Sequence, residues 1–403
     1  MKKFKYIIPL ILISLVFIGA SCEKGSSPAK SESEFAYPFE GDLTESKITD
    51  NSLGDNNPKI SGDGQTIVYF KDTEDENNYI DSIGIAGPNG EKGVIKIVGG
   101  LLPEKSGLMI DSLDISRDGS KVAFIAAPFV ENWWSTWPMF KYVYVLDLKA
   151  ETLAKIDPQE LPEKFYKDEA DAERAEPVRV ALSDDGSMVA FTVNVWGVDF
   201  DSIHDAWGGD DNMLLIAPSD GSKEPDVLKM GIAEAHVDMD SEGRIFYCKT
   251  DNENHSKYEL SVINSDGSGN KGLGINIGSW GLVASNNGRV VAFDKDKGTM
   301  FVASHNGNII AQTENYYGSV NITGDGSKVL VYQGNNKLPK EENGLVFYNV
   351  DDGFSVDQIL EHRGYKISSN LIDVSDHGEI VVFQSWDEDT DRDYEITSIY
   401  WKK

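Results

Sequence analysis

The chain has 403 residues, and its 37 basic against 67 acidic side chains leave a net charge of −30. A chain this acidic lacks the basic footprint that nucleic acid requires, which excludes that class of partner, whereas solubility, cationic ligands and divalent metals are favoured. Two cysteines, Cys22 and Cys248, provide no internal disulfide framework, so stability must come from a hydrophobic core.

The first element reads as an export signal. Lys2, Lys3 and Lys5 precede an apolar run from Tyr6 to Ile18 that stops at Gly19-Ala20-Ser21-Cys22. The run is shorter than the roughly 20 apolar residues of a spanning helix and ends in small residues, as cleaved signals do. It resembles the lipobox of bacterial lipoproteins, with Gly19 where Leu is usual. That resemblance implies removal of residues 1–21 and lipidation of Cys22. The expected location is the cell envelope, at the outer membrane, facing the periplasm or the exterior, with the membrane contacted through the lipid alone. Residues 22–40 are rich in Ser with Pro and Gly, a composition unable to bury a core, and read as a tether. Residues 41–403 form the expected folded domain.

Within that domain a turn motif recurs seven times: Ser61-Gly62-Asp63-Gly64, Ser116-Arg117-Asp118-Gly119, Ser183-Asp184-Asp185-Gly186, Asp240-Ser241-Glu242-Gly243, Ser285-Asn286-Asn287-Gly288, Thr323-Gly324-Asp325-Gly326 and Ser375-Asp376-His377-Gly378. Each follows an alternating strand and precedes an apolar strand ending in aromatic residues. The first polar side chain suits hydrogen bonding to backbone N–H groups, and the glycine suits a positive φ. Each motif therefore joins an inner strand A to strand B. Asn89-Gly90, Asp220-Gly221, Asp266-Gly267, Asn306-Gly307 and Asp352-Gly353 follow as C-to-D turns. Successive first-turn glycines lie 38 to 67 residues apart, the spacing of propeller blades with loop insertions.

The Ser-x-Asp-Gly turn before an apolar-Ala-Phe strand resembles the TolB-type β-propeller repeat, without the Pro usual before the Asp. The expectation is all-β: one seven-bladed propeller of four-stranded antiparallel blades. Blade seven runs out of chain after strand B (Glu379 to Phe383) and strand C (Tyr394 to Trp401). The segment Gly41 to Asp50 is therefore expected to supply its outer strand and close the ring.

Propellers carry A-to-B and C-to-D turns on one face and the other loops on the opposite face. Trp133, Trp134, Trp137, Trp196, Trp207 and Trp386 fall in predicted B-to-C loops, while D-to-A connections supply Trp280, Tyr316, Tyr317, His362 and Arg363. Flat aromatic rings on loops suit stacking on sugars, peptides or cations, and these residues are the candidate ligand contacts. The same rings can instead bury themselves as satellite cores. His236, His204, His255 and His362 share the loop face without close metal-ligand spacing. Asp114, Asp238, Asn321 and Asp373 occupy one strand A position in four blades and suit bonding to backbone or channel water. In the last acidic loop, Asp387, Asp389, Asp391 and Asp393 are candidate ligands for a hard cation such as Ca²⁺, though the loop lacks the EF-hand Gly and Glu and also reads as a solvated hairpin tip. No nucleophile elbow, His-Glu-x-x-His or phosphate-binding glycine loop is found. The resulting reading is a binding or scaffold propeller for a glycan, peptide or envelope protein, with a polysaccharide hydrolase or lyase as the alternative.

Overall fold

The computed structural model describes residues 42–49, 55–72, 80–97, 100–102, 108–128, 141–158, 175–195, 212–230, 232–251, 254–277, 282–294, 298–314, 320–333, 344–361, 365–387 and 394–402. The seven A-to-B turns form as their chemistry dictates. In each, the glycine N–H donates to the first residue's carbonyl at 2.8–3.0 Å, and the glycine takes φ between +64° and +75°. In six copies the leading hydroxyl accepts the N–H of the residue that ends the turn, as Ser61 does from Thr66 at 3.0 Å and Thr323 from Lys328 at 3.1 Å. Asp240 does the same through its carboxylate, taking Arg244 N–H at 2.9 Å.

These turns link antiparallel meanders. After strand β1 (Asp42–Lys47), blade one comprises β2 (Asn56–Ile60), β3 (Ile67–Asp72), β4 (Ile80–Gly87) and β5 (Gly90–Lys96). Blade two is β6 (Leu108–Ile115), β7 (Lys121–Pro128), β8 (Tyr142–Asp147) and β9 (Thr152–Ile156); blade three is β10 (Ala175–Leu182), β11 (Met188–Val195), β12 (Met213–Pro218) and β13 (Asp226–Met230). Blade four is β14 (Ile232–Met239), β15 (Arg244–Asp251), β16 (Asn254–Asn264) and β17 (Lys271–Ile277). Blade five has β18 (Leu282–Ala284), β19 (Arg289–Asp294), β20 (Thr299–Ser304) and β21 (Ile309–Thr313); blade six has β22 (Val320–Ile322), β23 (Lys328–Gln333), β24 (Gly344–Asn349) and β25 (Ser355–Glu361). Blade seven is β26 (Tyr365–Val374), β27 (Ile380–Asp387) and β28 (Tyr394–Lys402), completed by β1. No α-helix occurs among the described residues.

Closure follows the expected route. Strand β1 pairs antiparallel with β28 from Asp42 opposite Lys402 to Lys47 opposite Thr397. Beyond it, buried Thr49 accepts Ile396 N–H through Oγ1 at 2.9 Å, and Ile48 packs with Ile60, Tyr69, Val382 and Ile396. That contact joins the last blade to the first.

Period-two alternation sends successive side chains of each strand to opposite neighbours. In β7, Val122, Phe124 and Ala126 pack toward blade one, while Ala123 and Ile125 pack toward blade three. Seven apolar clusters result, one at every seam, so the ring has no edge between blades. Cys248 belongs to the cluster between blades four and five, where burial pushes its thiol up to about 12 and makes it an inert core residue.

Two boundaries differ from expectation. Strand β27 continues past Phe383 to Asp387, because Trp386 pairs with Tyr394 and Asp387 with Tyr365 across a longer three-stranded hairpin. The backbones of Trp386 and Asp387 thus belong to a strand end. Blade two also makes its C-to-D turn without glycine: Glu151 takes the positive φ, at 51°.

Candidate functional site: the central channel and the loop face

The seven inner strands surround the centre of the ring, and at the turn side their turns are tied to one another. Backbone bonds step from blade to blade: Gly62 N–H to Arg117 O at 2.9 Å, Asp376 N–H to Gly62 O at 2.9 Å, Asn286 N–H to Gly324 O at 2.9 Å and Ser241 N–H to Asn286 O at 3.2 Å. Across this ring Asp376 accepts from Arg117 Nε and, at 2.9 Å, from Asn286 Nδ2, while Arg117 also donates to Asp184 at 3.2 Å. A Cβ on Gly62 or Gly324 would overlap Asp376, so glycine is required there for packing.

One layer deeper, two residues before each turn, stand Lys59, Asp114, Ala181, Asp238, Val283, Asn321 and Asp373. The carboxylates staple seams. Asp114 accepts Leu182 N–H at 2.7 Å, Asp238 accepts Ala284 N–H at 2.7 Å, and Asp373 accepts Ile60 N–H at 2.9 Å, each from the following blade. Asn321 donates to Asp373 at 2.6 Å and accepts Ile322 N–H at 2.7 Å. The expected bonding of these four residues to backbone is therefore present.

Lys59 is the member that reading the repeat for carboxylates overlooks, although its register alone places it in this layer. Burial opposes its charge, but Asp373, Asp114 and Asp238 outweigh burial and raise its pKa. Burial, partly offset by Lys59, pushes Asp114 up to about 6, and burial followed by the Asp114 charge pushes Asp238 to about 7. Toward the loop end lie Arg179 and His236, each four residues before its turn. Burial first, then Arg179 and Lys59, depress His236 to about 4, so its imidazole is neutral at physiological pH.

The channel layer sits under β-bulges. Register shifts interrupt the A-to-B pairing in blades one, two, three, four and seven just on the loop side of these residues. Bulges of this kind re-aim side chains next to functional sites.

The loop face differs from the turn face in the lengths of its connections. The A-to-B turns take four to six residues, whereas 129–141, 157–174 and 196–212 connect strands on the opposite end. Topology assigns Trp133, Trp134, Trp137, Trp196, Trp207 and Trp280 to connections at that end. These residues lie outside the described residues, as do Tyr316, Tyr317, His362, Arg363, Asp389, Asp391, Asp393, His204 and Cys22. Among the described residues no group of His, Cys, Asp or Glu is arranged to hold a metal ion.

No protein-family model and no curated protein matches the chain. Solved structures do. The chain is similar to an oligogalacturonate lyase from Vibrio parahaemolyticus (TM-score 0.58, 12% identity, covering 89% of this chain and 98% of that one). It is similar also to the β-propeller domain of the Trilobed protease from Pyrococcus furiosus, which has an open velcro topology (TM-score 0.54, 14% identity, 87% and 95% covered). A third likeness is to the Cps50 (Swd1) propeller domain of Myceliophteria thermophila (TM-score 0.53, 12% identity, 89% and 100% covered). At such identities the likeness establishes the seven-bladed propeller fold. The β1–β28 pairing gives this ring a closed seam.

Proposed function

We propose that this chain is a lipid-anchored envelope propeller of TolB type that recognises a glycan, peptide or envelope protein through its loop face. The supporting observation is the difference between the two ends of the ring. The turn end consists of short connections tied together by backbone bonds and by the contacts of Arg117 and Asn286 with Asp376. The opposite end receives the long connections and, by topology, six of the tryptophans. Rigid scaffolds commonly carry recognition on such loops. The point where the described chain enters the ring fits this arrangement: Asp42 pairs with Lys402 at the turn end of blade seven, the end opposite the long connections. The lipobox resemblance at Cys22 supplies the anchor, and the envelope location follows from it.

Capture from envelope extract by the full chain, in wild-type form and as Trp133→Ala/Trp134→Ala or Asp118→Ala, tests this reading. The loop-face pair is expected to lose the captured partner while the turn-face variant keeps it. Equal capture by all three would reject the loop face. The similarity to an oligogalacturonate lyase favours a second reading, cleavage of a polysaccharide from the same face. It predicts turnover of oligogalacturonate by the purified chain, whereas a binding propeller gives none.

A further inference from the structure

The fourth strand of every blade stands on the outer rim of the ring and, among the described residues, pairs with a neighbour on one side alone. Such edges invite pairing with another chain, and charged side chains are a common protection. Six of the seven outer strands carry them, with Lys92 in β5, Lys155 in β9, Lys229 in β13, Lys271 in β17, Asp357 in β25 and Lys47 in β1. Strand β21, Ile309-Ile310-Ala311-Gln312-Thr313, has no charged residue.

A bulge shapes what that strand presents. In blades one, five and six a register shift leaves one extra residue in the outer strand, at Lys92, Ile310 and Asp357. The place is the same each time, opposite the third-last and second-last residues of strand C. Lys92 donates to Gln65 O, and Asp357 accepts from Lys328 Nζ at 2.7 Å, so both of these extra side chains are charged and tied back to their own blades. The aliphatic Ile310 has no polar group to tie back. It stands 38% exposed beside Ile309 at 52%, and Gln312 further along the strand is exposed as well. The bulge that holds a charge on two rims thus turns an apolar side chain outward on the third.

We propose that the outer edge of β21 is a strand-pairing surface for a second copy of this chain, with β21 of one copy lying antiparallel beside β21 of the other. Charge selects that occupant. A chain with a net charge of −30 repels its own copies over most of its surface, and the neutral edge of β21 is where two copies approach at least electrostatic cost. The strand is also its own complement. Antiparallel self-pairing is isologous, gives the outward N–H and C=O groups of both copies their partners, and sets Ile, Gln and Thr side chains across from one another with no like charges opposed. Five residues a side is small beside the roughly 20 to 30 of a standard interface, so the pair is weak and reversible. This surface lies on the rim and goes beyond the loop-face reading.

The test uses the full chain in detergent, with micelles in excess over protein, followed by sedimentation velocity over a range of concentrations and by hydrogen exchange of peptides covering β21. The expected result is a concentration-dependent dimer in wild type, whose formation slows exchange at β21. Ile310→Lys places at the bulge the charge that blade one has there, and is expected to weaken association roughly tenfold without lowering the melting temperature. Gln312→Lys supplies a charge at a second exposed position of the same strand and is expected to act alike. Ile310→Glu should also weaken self-association, and mixing it with Ile310→Lys should restore a dimer, since self-pairing brings the two variants face to face. Val356→Lys, on β25 of the next blade, is the control and should dimerise as wild type does. A monomer at every concentration, a dimer that forms without slower exchange at β21, or mixed variants that fail to associate would overturn the proposal. Equal loss in Val356→Lys would overturn the assignment to β21. Binding of the monomer to phosphatidylcholine vesicles, abolished in Ile310→Lys, would assign the edge to lipid and overturn the second copy as its occupant.

Discussion

Closure of the ring is open to a single-residue test at Ile48. Its side chain is 5% exposed and fills the cluster that joins blades seven and one, while the N–H groups of Ile48 and Thr49 reach Ile396 O at 2.8 and 3.3 Å. Ile48→Ala removes three buried carbons, about 2.4 kcal/mol at about 0.8 per methylene, and the cavity raises the loss to about 3 to 4 kcal/mol. With an unfolding entropy of about 2.1 cal/mol/K per residue over the ring, that loss lowers the melting temperature by about 4 to 5 °C. Because β1 covers the outer edge of blade seven, the β28 amides that face it should also exchange faster with deuterium, and dimers should form through the bared edge. Glu45→Ala, at an exposed position on the same strand, is the control. If Ile48→Ala matched the control in both melting and β28 exchange, β1 would not be the latch.

Further outcomes follow from the channel and the anchor. Asp238 is held near 7 in the folded ring against 3.8 as its ordinary value, so between these pH values the folded state keeps a proton that the unfolded chain has lost. Its contribution to stability is therefore greatest at low pH and declines as pH rises toward 7, by up to about 1.4 kcal/mol per pH unit. Denaturant midpoints measured from pH 5 to 8 should show wild type losing ground to Asp238→Asn as pH rises; parallel curves would contradict the assignment. Asp373→Ala strips Ile60 N–H and Asn321 of their acceptor and weakens the field on Lys59, at an expected cost of about 3 to 5 kcal/mol by chemical denaturation. A loss below about 1 kcal/mol would mean that the channel staple is idle. Cys22→Ser should release the protein from the membrane fraction; mass spectrometry finding mature Cys22 without lipid would reject the anchor.

How much of this molecule can be read from its sequence depends on how local the determining chemistry is. The A-to-B turns are legible because Ser61, Gly64 and their six counterparts act within a few residues of themselves. The role of β1 is legible by counting strands in blade seven. Blade two's C-to-D turn is not, since Glu151 adopts a backbone conformation for which the glycine pattern gives no sign. The shared strand A position of Asp114, Asp238, Asn321 and Asp373 makes their backbone bonding legible, and the same register identifies Lys59, whose role depends on carboxylates from three other blades. The aromatic and acidic loop candidates are legible as placements on one face, and topology carries them no further than that.

The central claim is recognition through the loop face, and the most direct measurement takes affinity and stability on the same variants. For Trp134→Ala and Trp207→Ala, affinity for the captured envelope partner and melting temperature are measured side by side. Loss of a stacking ring of about 0.5 to 2 kcal/mol predicts affinity weakened several-fold with melting unchanged. Unchanged affinity with a stability loss of about 3 to 5 kcal/mol, the cost of removing a buried Trp, would contradict the account.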